Sequence, residues 1–205
     1  MAGRIALIDY GAGNLRSVAN ALKAAGADNV LITSKADDLT QADRIVLPGV
    51  GAFAHCMGAL SALDGMVDAL DARVRGHGVP FLGICVGMQL LASEGREHGV
   101  TPGLGWIDGW VDAIPPAPGI RIPHMGWNRV SLPAAHPVVE AGEAYFLHSY
   151  QFHAADAAQV LATTTHGGPV VAAVGAGNII GVQFHPEKSQ RYGIALLERF
   201  LAWHP

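Results

Sequence analysis

Hydrophobic and polar positions in the first half of the chain alternate between short apolar runs and longer stretches with helical spacing. Short apolar runs predict buried strands at Ile5–Asp9, Val30–Thr33, Arg44–Leu47 and Pro80–Ile84. Apolar residues that recur every three or four positions predict helices at Leu15–Ala25, Ala59–Arg75 and Val86–Ser93. This alternation of strands and helices is typical of a parallel sheet with helices on both faces.

The second half has a different pattern, dominated by strand-like runs. Strands are predicted at Trp110–Ile114, Asn128–Leu132, Ala144–His148, Val160–Thr164, Val170–Val174 and Ile179–Phe184, and an amphipathic helix at Gly193–Trp203. Gly175–Asn178 is a good turn between the last two strands. We therefore expect a single α/β domain over residues 1–205, with an open, mostly parallel sheet flanked by helices and antiparallel hairpins added in the second half.

Composition narrows the function classes. The chain has 205 residues, of which 50% are hydrophobic and 15% charged, so it can bury a large core. A formal net charge of −4 without a basic stripe argues against nucleic-acid binding. The first apolar run ends at Asp9, and no segment has the length of a membrane span. The two cysteines, Cys56 and Cys85, fit a reducing compartment, which predicts a cytoplasmic protein.

Gly83-Ile84-Cys85-Val86-Gly87 follows a predicted strand and opens a predicted helix. This is the pattern of a nucleophile elbow, in which a sharp turn exposes the central side chain and small neighbours avoid clashes. The helix N-terminus would favour a thiolate, which is the reactive form of cysteine. The sequence therefore predicts Cys85 as a nucleophile, whereas Cys56 has no such setting and is expected to be structural.

A nucleophilic cysteine needs a base and a group that orients the base. His185 ends an apolar strand, where a parallel sheet opens its binding crevice. Pro186 favours extended backbone at His185, so Glu187, two residues on, points the same way. Acyl transfer also needs backbone N–H donors for the developing oxyanion, and Val86 and the glycine-rich turn at Pro48–Gly51 are the candidates.

The elbow, Gly83–Gln89, and the segment Gly181–Glu187 resemble the triad (class I) glutamine amidotransferase family. Further segments are similar to one branch of this family, at Ile8–Leu15, Leu47–Phe53, Pro123–Asn128 and Tyr145–Tyr150. The resemblance implies that Cys85 attacks glutamine, with His185 as acid and base and Glu187 as its orienter. It assigns the oxyanion hole to Val86 with Gly49 or Val50, and the glutamine pocket to Gly51, Gln89, Ser149 and Tyr150.

Members of that branch pass ammonia to a separate cyclase subunit with a (β/α)₈-barrel fold, which implies a heterodimer. The residues expected at the interface are Tyr10, Asn14, His124, Trp127 and Asn128. Trp127 could equally be a core residue on the sequence alone.

Other interpretations fit the sequence less well. Gly11-Ala12-Gly13 lacks the third glycine of a dinucleotide loop because position 16 is Arg, and neither a metal nor an organic cofactor is expected. A stand-alone cysteine hydrolase would share the elbow but not the His-Pro-Glu ending. A glutaminase for another synthase is disfavoured by the segments His124–Asn128 and Tyr145–Tyr150. A catalytically silent scaffold subunit is disfavoured by the complete triad, and a Cys85 unreactive to a glutamine-like electrophile would favour it.

Overall fold

The computed structural model describes residues 3–205. The first half contains β1 (Ile5–Ile8), α1 (Leu15–Ala24), β2 (Val30–Thr33), β3 (Arg44–Gly49), α2 (Phe53–Ser61), α3 (Met66–Asp71), β4 (Phe81–Cys85) and α4 (Val86–Gln89). The second half contains β5 (Glu94–Gly95), β6 (Thr101–Pro102), β7 (Gly109–Ala113), β8 (His124–Val130), β9 (Gly142–His148), β10 (Tyr150–Ala154), β11 (Val160–Thr165), β12 (Pro169–Ala176), β13 (Ile179–Val182) and α5 (Gln190–Ala202).

A seven-stranded sheet forms the centre of the molecule, in the order β11-β12-β13-β4-β3-β1-β2. The five strands from β13 to β2 are parallel to their neighbours, and β11 and β12 extend the sheet in antiparallel fashion. β1, β4 and β13 are buried along their whole length, as expected for parallel strands covered on both faces. The predicted fold class is confirmed.

The remaining strands form two smaller sheets. One has the order β10-β7-β5-β6, and the other is the antiparallel pair β8-β9, in which His124 lies opposite His148. β10 was not predicted from the sequence, because only Ser149 separates it from the end of β9. The hairpin additions of the second half are therefore real, but only β11 and β12 are built directly onto the central sheet.

Arg44 shows how the last helix is fixed to the sheet. It lies on β3, is buried, and donates from its guanidinium to the carbonyl oxygens of Phe200 (3.1 Å) and Trp203 (2.9 Å). These carbonyls belong to the C-terminal end of α5, where a cation also interacts favourably with the helix dipole. Among residues 3–205, α5 is the longest helix, with 13 residues, and no helix there has the length and apolarity to cross a bilayer.

Two predicted helices are wrong in extent. The single helix predicted over Ala59–Arg75 is broken after Ser61, and Gly65 takes a left-handed φ of 63° that redirects the chain before α3. The helix predicted over Val86–Ser93 ends at Gln89, since the carbonyls of residues 90–92 accept hydrogen bonds from residues 104–106 instead of continuing a helical ladder. In both cases the apolar residues keep their helical spacing beyond the end of the helix, so the sequence pattern does not reveal where the backbone leaves the helix.

Candidate active site

Cys85 lies at a strained turn between β4 and α4. It is the last residue of β4 and the N-cap of α4, with φ 55° and ψ −112°, a conformation rare for a residue with a side chain. A Cβ on Gly83 would lie 2.5 Å from the carbonyl oxygen of Gly87, and a Cβ on Gly87 would collide with the carbonyl oxygen of Leu47. The two glycines of the motif are therefore required by close backbone packing around the turn.

His185 and Glu187 lie at the same end of the central sheet as Cys85. The His185 Nδ1 lies 2.8 Å from Glu187 Oε1, and both side chains are nearly inaccessible to solvent. On its other side His185 faces the Cys85 side chain, which helps to raise the pKa of the imidazole, and both residues line one cavity. The structure therefore brings together the three side chains that the sequence selected, in the order sulfur, imidazole and carboxylate.

The protonation of His185 follows from these neighbours. Burial acts to lower its pKa, but hydrogen bonds and charge interactions with Cys85 and Glu187 outweigh burial and raise the pKa to about 9. The protonated imidazole is thus favoured at neutral pH while it lies between a sulfur and a carboxylate.

The backbone around His185 is anchored to β9. His185 N–H donates to the carbonyl of Tyr145 (2.9 Å), and the buried Ser189 hydroxyl donates to the carbonyl of His185 (2.7 Å). The same hydroxyl accepts from the N–H of Tyr145 (2.9 Å). Pro186 opens a short 3₁₀ turn after an extended His185, as expected for a residue before proline. The imidazole therefore projects from a backbone with little freedom to shift.

The candidate oxyanion donors lie on the segments next to Cys85. Gly49 is the partner of Cys85 in the ladder between β3 and β4, and Val86 begins α4 directly after the nucleophile. Val50 and Gly51 continue beyond β3 and line the cavity. The sequence predicted Gly49, Val50 and Val86 as oxyanion donors and Gly51 for the glutamine pocket; Gly49 and Val86 adjoin Cys85, and Val50 and Gly51 share its cavity.

Cys56 lies behind this loop. It is fully buried, and its thiol donates to the carbonyl of Val50 (3.4 Å). Burial raises the pKa of Cys56 to about 11, so the sulfur stays protonated and keeps its donor. This is the structural setting that the sequence indicated for Cys56.

The cavity has a volume of about 170 Å³. Its lining residues are Val50, Gly51, Cys85, Val86, Gln89, Leu147, His148, Ser149, Tyr150, His185 and Lys188. The four residues expected to hold glutamine are all among them. The volume is below the roughly 300–1,000 Å³ of sites for drug-sized ligands, and so suits a small substrate.

Two polar residues near the site were missed by the sequence analysis. Gln183 is fully buried, and its Nε2 lies 3.7 Å from the Cys85 sulfur. Its position two residues before His185 on an extended segment is a signal that could have identified it. Glu97 accepts a hydrogen bond from the N–H of Phe53 (2.8 Å), and after burial its negative charge is the next cause that raises the pKa of Tyr150. Nothing in the local sequence marks Glu97, because a loop between two short strands brings it there.

The five predicted interface residues do not share one environment. Trp127 is 48% exposed and therefore not a core residue, and Asn14 is an exposed N-cap of α1. Asn128 is half-buried, whereas Tyr10 and His124 are buried. Trp127 and Asn14 therefore face solvent, and the other three contribute mainly to packing beneath the surface.

Comparison with known proteins places the chain in a family. The model of the family "Glutamine amidotransferase class-I" matches residues 6–203. The chain is 61% identical to the imidazole glycerol phosphate synthase subunit HisH of Zymomonas mobilis, over 98% of this chain and 96% of that one. It is 52% identical to the subunit of the same name from Rhodospirillum rubrum, over 98% and 100% of the two chains.

Solved structures share the fold at low sequence identity. A crystal structure of a glutamine amidotransferase superposes with a TM-score of 0.76 at 22% identity, covering 98% of each chain. The structure of PurLQS from Thermotoga maritima contains a chain with a TM-score of 0.75 at 20% identity, covering 98% of this chain and 99% of that one. The family match and the high identity to the HisH subunits lead to one conclusion: the chain belongs to the class I glutamine amidotransferases, and within them to the family of the imidazole glycerol phosphate synthase subunit HisH.

Proposed function

We propose that this chain is the glutaminase subunit of an imidazole glycerol phosphate synthase. It hydrolyses glutamine to glutamate and ammonia and passes the ammonia to a cyclase subunit that makes imidazole glycerol phosphate in histidine biosynthesis. The observation that carries the proposal is that Cys85 and His185 line one cavity while the buried Glu187 contacts His185 from behind at 2.8 Å. The chain works as one domain over residues 1–205, in the cytoplasm.

The first step is attack by sulfur. The thiol proton of Cys85 resides on His185, which is protonated at neutral pH, and the Cys85 thiolate attacks the side-chain amide carbon of glutamine. Negative charge then develops on the amide oxygen, and backbone N–H groups of Val86 and of Gly49 or Val50 stabilise it. The register that pairs Gly49 with Cys85 supports this assignment.

The second step releases ammonia and the third restores the enzyme. The imidazolium of His185 gives its proton to the departing nitrogen, which leaves as ammonia and converts the intermediate to a γ-glutamyl thioester. Neutral His185 then takes a proton from water, which attacks the thioester and releases glutamate. Glu187 keeps Nδ1 protonated and so directs Nε2 towards the sulfur, which is the role of the third member of a triad.

Glutamine is held by the cavity walls. Gly51, Gln89, Ser149 and Tyr150 line the space next to Cys85 and supply its polar contacts. Glu97, whose charge helps to raise the pKa of Tyr150, supplies a carboxylate near this end of the site. A carboxylate there attracts the ammonium group of an amino-acid substrate.

The partner is a separate (β/α)₈-barrel cyclase that forms a heterodimer with this chain. Met125 and Trp127 lie two residues apart on β8 and are 65% and 48% exposed, and Val50 at the mouth of the cavity is 44% exposed. Exposed large apolar side chains next to a catalytic cavity are typical of a docking surface. A closed path for the product is needed because free ammonia is protonated in water and lost as a nucleophile.

Glutamine turnover with and without the cyclase and its ligand tests this proposal. We expect low turnover by the chain alone, strong stimulation in the liganded complex, and no turnover by Cys85→Ser in either state. Equal rates with and without the cyclase would contradict the coupling. Absence of glutamate formation even in the complex would contradict the glutaminase activity itself.

A further inference from the structure

A continuous set of hydrogen bonds connects the Cys85 sulfur with Gln183 and Gln89. Gln183 Nε2 lies 3.7 Å from the Cys85 sulfur, and Gln183 Oε1 lies 3.0 Å from Gln89 Nε2. Gln183 is fully buried and Gln89 nearly so. An amide has one accepting and one donating end, so Gln183 can donate to the sulfur only while its oxygen accepts from Gln89.

The direction of these bonds is set by a backbone carbonyl. Gln89 Nε2 also lies 3.2 Å from the carbonyl oxygen of Tyr150. Because a carbonyl oxygen can only accept, the group of Gln89 that faces it must be the NH₂. The second hydrogen of this NH₂ is then directed to Gln183, whose own NH₂ must face the sulfur.

The Tyr150 carbonyl is fixed in turn by His148, which lines the cavity, and by the buried His124 beyond it. His148 Nδ1 donates to it (2.8 Å), which leaves Nε2 of the neutral ring to accept from His124 Nδ1 (3.0 Å). His124 Nε2 accepts from Asn128 Nδ2 (3.1 Å), which also donates to the carbonyl of Thr165 (2.9 Å). The carbonyls of Tyr150 and Thr165, at the two ends of this series of hydrogen bonds, thus determine the tautomers of His148 and His124.

Both histidines keep these roles at neutral pH. Burial lowers the pKa of His148 to about 4, with His166 and His185 nearby acting in the same direction. Burial and the neighbouring His148 and His166 lower the pKa of His124 to about 3. Neutral rings can each donate at one nitrogen and accept at the other, as the geometry requires.

We propose that Gln183 is a further catalytic residue, whose side-chain NH₂ donates to the Cys85 sulfur and stabilises the thiolate. Gln89, His148 and His124 are positioning residues that keep the Gln183 amide in this direction. The sulfur is therefore stabilised from two sides. One partner is the imidazolium of His185, and the other is the neutral NH₂ of Gln183, which donates a hydrogen bond but transfers no proton. This inference rests on the proposed function, in which Cys85 is the nucleophile.

The pH profile of Cys85 alkylation tests the role of Gln183. Iodoacetamide reacts with the thiolate, and peptide mapping by mass spectrometry separates Cys85 from Cys56. In Gln183→Met we expect the midpoint of the profile to move upward by about one pH unit, since a hydrogen bond to a charged group is worth roughly the free energy of a tenfold change. Gln183→Glu, which is isosteric and keeps the acceptor for Gln89, should shift the midpoint at least as far.

A matched control is Gln151→Met, which replaces another buried glutamine, on β10, with the same side chain. Its profile should coincide with that of the unsubstituted chain. The proposal would be overturned if Gln183→Glu and Gln183→Met, with native circular dichroism spectra, gave the same alkylation profile as the unsubstituted chain.

The positioning role of His148 is tested by two substitutions. His148→Asn retains a donor in the place of Nδ1, so it should keep the bond to Tyr150 and an unshifted profile. His148→Leu loses that donor and should shift the midpoint in the same direction as Gln183→Met. Equal profiles for the two His148 variants would contradict this role. If His148 only filled space, the loss of its hydrogen bond to the Tyr150 carbonyl would not change the profile.

Alkylation requires neither glutamine nor the partner subunit, which separates this inference from the proposed function. A shifted midpoint in a chain without glutaminase activity would refute the proposed function alone. In the active complex, Gln183→Met should lower kcat about tenfold and leave KM within about twofold, since the donor acts on the sulfur and not on bound glutamine. A rise in KM with unchanged kcat would instead assign Gln183 to substrate binding.

Discussion

Gly49 lies directly beside Cys85, as its partner at the ends of two neighbouring parallel strands. A Cβ on Gly49 would lie 2.6 Å from the Tyr10 hydroxyl, 2.8 Å from the N of Gly87 and 2.9 Å from Cβ of Val86. Glycine is thus needed here for the close approach of the loop that begins at the end of β3 to the turn at Cys85. The buried Tyr10 contributes by donating to the carbonyl of Pro48 (2.7 Å).

Gly49→Ala is expected to lower glutaminase turnover at least about 10²-fold, because the added methyl group pushes the loop and its N–H donors away from the sulfur. The free energy of unfolding should fall by about 1–3 kcal/mol from overpacking. Turnover in the complex and urea unfolding of the free chain measure the two effects.

Gly58→Ala is the matched control for that substitution. Gly58 lies on α2 and is exposed, and a methyl group added there would meet no atom within 4 Å. Alanine at this position should raise the free energy of unfolding by about 1 kcal/mol through helix propensity and leave turnover unchanged. A Gly49→Ala enzyme as active as Gly58→Ala would refute the steric argument.

His185 should make stability decline in alkaline solution. Its pKa is raised to about 9 in the folded chain, against about 6.5 when unfolded, so its contribution is fully present below pH 6.5 and is lost as the pH rises through about 9. Urea unfolding between pH 6.5 and 10 should show this loss, and His185→Gln should show a smaller decline over the same range.

Glu187→Gln is the sharper variant, since it keeps the shape of the buried side chain but removes its charge. We expect a lower pKa of His185, a smaller alkaline decline in stability, and a fall in turnover of roughly 10²-fold. Turnover close to that of the unsubstituted enzyme would remove Glu187 from the mechanism.

His148 and His124 should act in the opposite pH range. Their pKa values are lowered to about 4 and about 3 in the folded chain, so the unfolded chain binds more protons below pH 6.5 and stability falls as the pH decreases towards 4. His148→Asn should reduce this acid dependence, as measured by urea unfolding at pH 6.5 and pH 4.5. An unchanged slope would mean that His148 is not kept neutral by the fold.

Trp127 should contribute directly to partner binding. Its indole is 48% exposed on β8, and burial of a large aromatic side chain at an interface is worth about 2 kcal/mol or more. Trp127→Ala should therefore weaken binding of the cyclase at least about thirtyfold in an equilibrium titration, with little loss of stability.

Ile32→Thr provides the matched control for the partner surface. Ile32 is 41% exposed on β2, the strand at the outer edge of the central sheet, away from the cavity. Its substitution should leave the affinity for the cyclase unchanged. Equal losses of affinity for the two variants would mean that β8 is not the docking surface.

Local patterns predicted much of the central sheet and the nucleophile turn. β1, β2, β3 and β4 lie within one or two residues of their predicted positions, because each is an apolar run bounded by polar or turn-forming residues. The breaks after Ser61 and Gln89 were missed, since apolar spacing continues through them while Gly65 and residues 104–106 determine the backbone. Periodicity reports which side chains are buried, but it does not report where a helix meets another segment.

The motifs around Cys85 and His185 determined by themselves which groups can do chemistry, because backbone strain at a Gly-x-Cys-x-Gly turn and the direction of a His-Pro-Glu ending are local properties. Only the tertiary structure decided that Gln183, Gln89 and His148 connect to the sulfur, that Glu97 reaches Tyr150, and that Tyr10 is buried whereas Trp127 is exposed. These relationships join residues far apart in the chain, and they depend on strand order and register, which short sequence patterns do not specify.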